Sequence, residues 1–222
     1  MNKNSKLYFF IVLLYLVLFS SVSLGQEAEI SKDEFFSAVN NATDKASATN
    51  RRIIRTSVIY SDGKIVGEER ETIEYILPDK RRSLVIEKKD GKETSIEKIS
   101  IGDAKFIKQN GGKWENVDES GKRSIIALTR GPEPKYTHTF LVRELKKQNG
   151  KHYILNVVRE SGDSKTYSSE TYLINNAGVL KEIITIFSKE TKENIYSNAV
   201  ETYEYDPKDL KIEAPVISNN NP

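Results

Sequence analysis

Residues 64–114 read KIVGEERETIEYILPDKRRSLVIEKKDGKETSIEKISIGDAKFIKQNGGKW, and this stretch decides the fold. Apolar and polar residues alternate with a period of two, which is the pattern of half-buried strands. Lys64 to Leu77 carries Ile73, Tyr75 and Leu77 on one face, and Gly67 within it marks a bulge or sharp bend. Pro78-Asp79 turns the chain. Arg82 to Lys89 follows with Leu84 and Ile86 inward, and Asp90-Gly91 closes a hairpin. Thr94 to Ile101 returns, Gly102-Asp103 turns, and Lys105 to Gln109 forms a further strand. Asn110-Gly111-Gly112 then leads into Trp114.

The same pattern extends in both directions. Upstream, Ile54, Thr56, Val58 and Tyr60 alternate with Ile53, Arg55, Ser57 and Ile59 before a turn at Ser61-Asp62-Gly63. Glu27 to Asn50 reads instead as a helix. Ser31 stands as N-cap with Glu34 three residues on, and Phe35, Phe36, Val39, Ala42 and Ala46 form one apolar face. Downstream, Thr137 to Lys147, His152 to Glu160, Thr166 to Ile174, Val179 to Lys189 and Ser197 to Tyr205 are strands, with Asn149-Gly150 a tight turn. The total is about ten strands, more than a flat sheet holds without curling or splitting. Charges at every second or third position keep one face wet, so the other face needs a cover. Helical material is scarce, and curling is the economical answer. Between Val117 and Tyr136 the rhythm breaks. Ser124 to Leu128 is a small apolar knot that reads either as a lid over a binding site or as a plain surface excursion.

The first 25 residues have the form of a secretory signal peptide: Lys3 and Lys6, then an unbroken apolar run from Leu7 to Phe19, then small residues up to Gly25. A periplasmic or secreted location follows. Residues 26–214 then make one domain, and residues 215–222 a disordered tail. There is no cysteine, so an exported chain of this size stands on its hydrophobic core without disulfides. Removing Lys3 and Lys6 from 34 basic residues leaves them equal to the 32 acidic ones. That balance disfavours nucleic acid as a partner, since counterion release needs a basic face.

The chain contains no GxSxG, HExxH, Walker loop or dinucleotide fingerprint. Its two histidines, His138 and His152, have no carboxylates clustered around them at ligand spacing, so an ordinary polar partner is expected for each, and no metal. Adjacent acids such as Glu68-Glu69 point to opposite faces of a strand and cannot act together. The chain reads as non-catalytic, with no cofactor.

Three stretches resemble the lipoprotein-localisation carriers, the LolA/LolB superfamily. They are Tyr75-Ile-Leu-Pro78-Asp-Lys80-Arg-Arg82, then Ile101-Gly102-Asp103-Ala-Lys-Phe106-Ile closing on Trp114, and finally Tyr203-Glu-Tyr205-Asp-Pro207 through Ile212-Glu-Ala-Pro215. The order of segments is similar over nearly the whole mature chain. The resemblance implies an α+β fold: an unclosed antiparallel β half-barrel wrapped around an N-terminal helix and a short lid segment. It also implies an apolar cavity for a hydrophobic ligand or lipoprotein acyl chains, with transient membrane contact. The wall would comprise Ile54, Val58, Ile73, Tyr75, Leu84, Ile86, Phe106, Trp114, Phe140, Val142 and Tyr153, and the lid Ile125, Ile126 and Leu128. The chain departs from the family's membrane-anchored receptors in having no cysteine to acylate. The rival expectation is a ligand-free module that binds an envelope protein partner through exposed edge strands.

Overall fold

The computed structural model describes residues 27–117, 134–145 and 149–217. The signal peptide with its cut after Gly25, the lid residues Ile125, Ile126 and Leu128, and the last five residues of the tail lie outside the described residues. A short strand β1 (Glu27–Glu29) precedes the one helix among the described residues, α1 (Lys32–Ser47). The Glu34 N–H donates to Ser31 Oγ at 3.1 Å, which is the N-cap read from the sequence. The helix is shorter than Glu27 to Asn50 because its first residues leave it to pair with a strand edge.

Eleven further strands follow: β2 (Arg51–Ser61), β3 (Lys64–Ile76), β4 (Lys80–Lys89), β5 (Lys92–Ile101), β6 (Ala104–Gln109) and β7 (Glu115–Asn116), then β8 (Lys135–Leu145), β9 (Gly150–Ser161), β10 (Ser164–Asn175), β11 (Leu180–Lys189) and β12 (Ile195–Tyr205). All join one antiparallel sheet in the order β1-β8-β9-β10-β11-β12-β2-β3-β4-β5-β6-β7. The two strands beyond the expected ten are the short edge strands β1 and β7. The sheet does not close on itself, and the fold is an unclosed half-barrel around a helix.

Register decides which side chains share a face. Ile59 pairs with Gly67 and Tyr60 with Ile65, leaving Val66 as an extra residue on β3. The bulge announced by Gly67 is therefore present, one residue away. Its consequence is large, because a one-residue slip exchanges the two faces. Below the bulge Ile53 pairs with Ile73 and Ile54 with Thr72. Three residues, Leu77 to Asp79, separate β3 from β4, so Ile73 pairs with Ser83 and Thr72 with Leu84.

The core lies where α1 crosses the β8–β11 half of the sheet. Phe35 (1% exposed), Val39, Ala42, Ile174 and Leu180 are its buried centre, with Ile30, Phe140, Tyr153, Leu155, Tyr172, Ile183 and Tyr203 packed around it. At ~2 kcal/mol for each large apolar side chain taken from water, this cluster contributes substantially to stability. Lys45 Nζ donates to Ala177 O at 3.0 Å and Arg51 Nη1 to Ala46 O at 3.0 Å, tying down the C-terminal end of the helix.

Candidate functional site

The face that carries α1 is apolar on one half and mixed on the other. Following the ladders, Val142, Tyr153, Tyr172 and Ile183 form one row, and the row continues as Glu201, Arg55, Glu71 and Val85. The apolar half is aromatic. Phe35 lies 5.2 Å and Phe36 5.9 Å from the Phe140 ring, centroid to centroid. From Phe140 a stack runs out along alternate residues of β8: His138 is 6.3 Å from Phe140 at 10°, and Tyr136 is 6.3 Å from His138 at 22°.

The helix does not reach the end of this strip. Ile30 N–H donates to Phe140 O, which sets the start of α1 near the middle of β8, and its far end lies by Ala177 and Arg51. Phe36, within α1 near its start, is 37% exposed; beyond that start Tyr136 is 55% exposed, His138 is exposed, and Val157 and Phe187 are half-buried.

Tyrosines on this face keep their protons. Burial pushes Tyr172 well above the ordinary phenol range, reinforced by its hydrogen bond to Glu170 at 2.6 Å. Burial does the same to Tyr203, which donates to Glu201 at 3.1 Å. Burial raises Tyr205 to about 12, and its hydroxyl donates to Leu180 O. These are donors that orient neighbours, not bases.

The residues expected to line one wall fall on two faces. Ile73, Tyr75, Phe140, Val142 and Tyr153 lie on the helix side, with Tyr75 capped by Arg51 at 4.0 Å from its ring centre. Ile54, Val58, Leu84, Ile86 and Phe106 lie on the opposite face, and Trp114 joins them through Lys108, whose Nζ is 4.7 Å from its ring centre. No single cavity brings all eleven together. The bulge at Val66 separates Ile54 and Val58 from Ile73, and the three-residue turn separates Ile73 from Leu84.

On that opposite face runs a ladder of charge. Arg52 meets Glu74 at 2.8 Å, Asp209 at 2.9 Å and Glu204 at 3.2 Å. Arg82 joins Glu74 to Glu97, which also holds Lys108 at 2.5 Å. Burial alone would raise Glu97, but hydrogen bonds from Lys108 and Arg82 outweigh it and hold the carboxylate below the ordinary 4.5. The C-terminal segment lies over this ladder, and an open groove of about 310 Å³ runs between them, lined by Ile99, Trp114, Ile212 and Pro215. A second of similar size lies at the β2–β3 and β4–β5 hairpin tips. Among the described residues no cluster of three or more metal-binding side chains occurs.

The histidines depart from expectation. His138 is a ring in a stack, and buried His152 has no hydrogen-bond partner on Nε2 among the described residues. Tyr136, His138 and Phe36 were readable as one strip only once β8 and α1 were juxtaposed. The spacing of Tyr136, His138 and Phe140 was the signal for the first part.

No protein-family model and no curated protein matches the chain. Solved structures similar to it in fold include the following three. LprF from Mycobacterium bovis has a TM-score of 0.40 at 7% identity, over 85% of this chain and 100% of that one. A putative outer membrane lipoprotein-sorting protein domain from Vibrio parahaemolyticus has 0.29 at 10%, over 83% and 96%. The LolA superfamily protein NE2245 from Nitrosomonas europaea has 0.26 at 11%, over 81% and 94%. At superpositions and identities this low, the likeness says nothing about ligand or activity.

Proposed function

We propose that this protein is an exported, non-catalytic carrier that holds an acyl chain or similar hydrophobic ligand against the helix-side face of β8–β11. One observation carries the reading: the aromatic strip that roots in the core at Phe35 and Phe140 takes in exposed Phe36 of the helix and continues past the helix start as exposed Tyr136. Apolar surface continuous with a core and left uncovered marks a place for something apolar. The physical need is plain, since each CH₂ withdrawn from water is worth ~0.8 kcal/mol, so a sixteen-carbon chain costs on the order of 12 kcal/mol when left exposed. Phe140, Val142 and Tyr153 would form the floor of the site, with Ile73 and Tyr75 on the same face further along. The rival, pairing of an envelope protein with a sheet edge, has less to rest on. The edge strands are three and two residues long and carry Glu27, Glu29 and Glu115, features that blunt edges.

Native mass spectrometry of protein purified from membranes is the direct test, with uptake of a fluorescent fatty acid alongside. Bound lipid, or uptake reduced about tenfold by Phe36→Asp at a temperature where the variant remains folded, is the expected result. A clean apo mass together with no uptake ends the reading.

A further inference from the structure

The helix-side face changes character along β8 and β9. Phe140 pairs with Leu155, His138 with Val157, and the last pair on this face is Tyr136 with Arg159. Arg159 in turn pairs with Thr166 of β10, and Thr166 with Lys189 of β11. These three stand in one cross-strand row at the end of the sheet, two cations flanking a threonine. Strands are ~4.8 Å apart, so the two cationic backbones lie about 10 Å apart. Both side chains are exposed.

Two nearby carboxylates are engaged elsewhere. Glu160 belongs to Lys165, and by register both project from the opposite face. Glu170 accepts the Tyr172 hydroxyl. Lys189 lies 4.9 Å from the Tyr196 ring centre. Among the described residues neither Arg159 nor Lys189 is in an ion pair. The strip thus runs from half-buried Phe140 to an exposed basic rim over four residues of strand, about 13 Å.

We infer that the ligand is an anionic amphiphile, its chain on Phe36, Phe140 and Val157 and its carboxylate or phosphate head at Arg159 and Lys189. This rests on the carrier reading and adds to it the sign of the head group. Charge-assisted hydrogen bonds supply head-group selectivity, and because the rim is exposed, salt screens it.

The test uses the full mature chain and two fluorescent probes of equal chain length, a fatty acid and the matching fatty alcohol. The acid is expected to bind at least tenfold more tightly at low salt, with the advantage shrinking as salt rises. Arg159→Glu with Lys189→Glu should remove the advantage and leave alcohol binding within twofold. Arg159→Gln, a milder change, should lower it several-fold at unchanged melting temperature. Vesicle arms separate the sources. Extraction of anionic phosphatidylglycerol but not zwitterionic phosphatidylcholine marks a net-anionic phosphate head, and binding of the free acid alone marks a carboxylate. Equal binding of acid and alcohol, or indifference to the double variant, overturns the inference and leaves the carrier reading intact. Binding of neither probe overturns both.

Discussion

His152 shows at one residue how this sheet handles a titratable group away from water. Its ring is 7% exposed, on the face opposite the helix, and pairs across the ladder with Arg143. Burial, with Arg143 adding repulsion, lowers its pKa from 6.5 to about 4. In that interval the unfolded chain binds the proton and the folded one does not, so stability is full above 6.5 and is lost as pH falls. The loss is about 2 kcal/mol between pH 7 and pH 5. Glu182, raised by burial, acts with the opposite sign, gaining stability as pH falls. A comparison of variants therefore isolates the histidine. Urea unfolding at both pH values should show His152→Leu losing about 2 kcal/mol less than the wild type. An equal loss would show that the ring is reached by water in the folded chain.

Two strand glycines make the argument for elements. A Cβ on Gly150 would stand 2.6 Å from Ile174 O and 3.0 Å from Asn175 Cα, both backbone of the neighbouring β10. Gly150→Ala must push the two strands apart and is expected to cost about 1–3 kcal/mol. On Gly67 the nearest atom is Ile59 Cδ1 at 3.7 Å, an ordinary contact. Gly67→Ala is therefore expected to be neutral, or stabilising by up to about 0.5 kcal/mol through the unfolded chain. Denaturant midpoints decide, and a loss at Gly67 matching that at Gly150 would contradict the close approach. The pair also shows what the sequence could tell. Alternation and turn residues place ten of the twelve strands to within about two residues, and miss the short edge strands β1 and β7. They also give which neighbours within a strand share a face, as with Ile73 and Tyr75. Agreement between strands depends on a single extra residue, Val66, and on a turn of three rather than two at Leu77–Asp79. Gly67 marks the bulge and Pro78 the turn, but neither fixes the number of residues inserted, so the alternation alone does not show that Ile54 and Leu84 fall on the face opposite Phe140 and Tyr153.

For the molecule as a whole the two faces do different work, and that separation can be tested. The helix side holds the core and the open aromatic strip. The other holds the Arg52–Glu74–Arg82–Glu97–Lys108 ladder under the C-terminal segment. That segment is anchored by buried Pro207, by Asp209 on Arg52, and by Ile212 at 3% exposure. Removing residues 207–222 uncovers Ile99 and Trp114 and gives up the burial of Ile212, about 2–3 kcal/mol from that side chain alone. Ile212→Asp should cost at least as much, since it also puts a carboxylate at a position 3% exposed. Both variants are expected to melt earlier and yet bind a fluorescent fatty acid as the intact chain does, at a temperature where they remain folded. Loss of binding in a folded Ile212→Asp protein would place the ligand on the charged face, beside Trp114, and would reverse the assignment of the two faces.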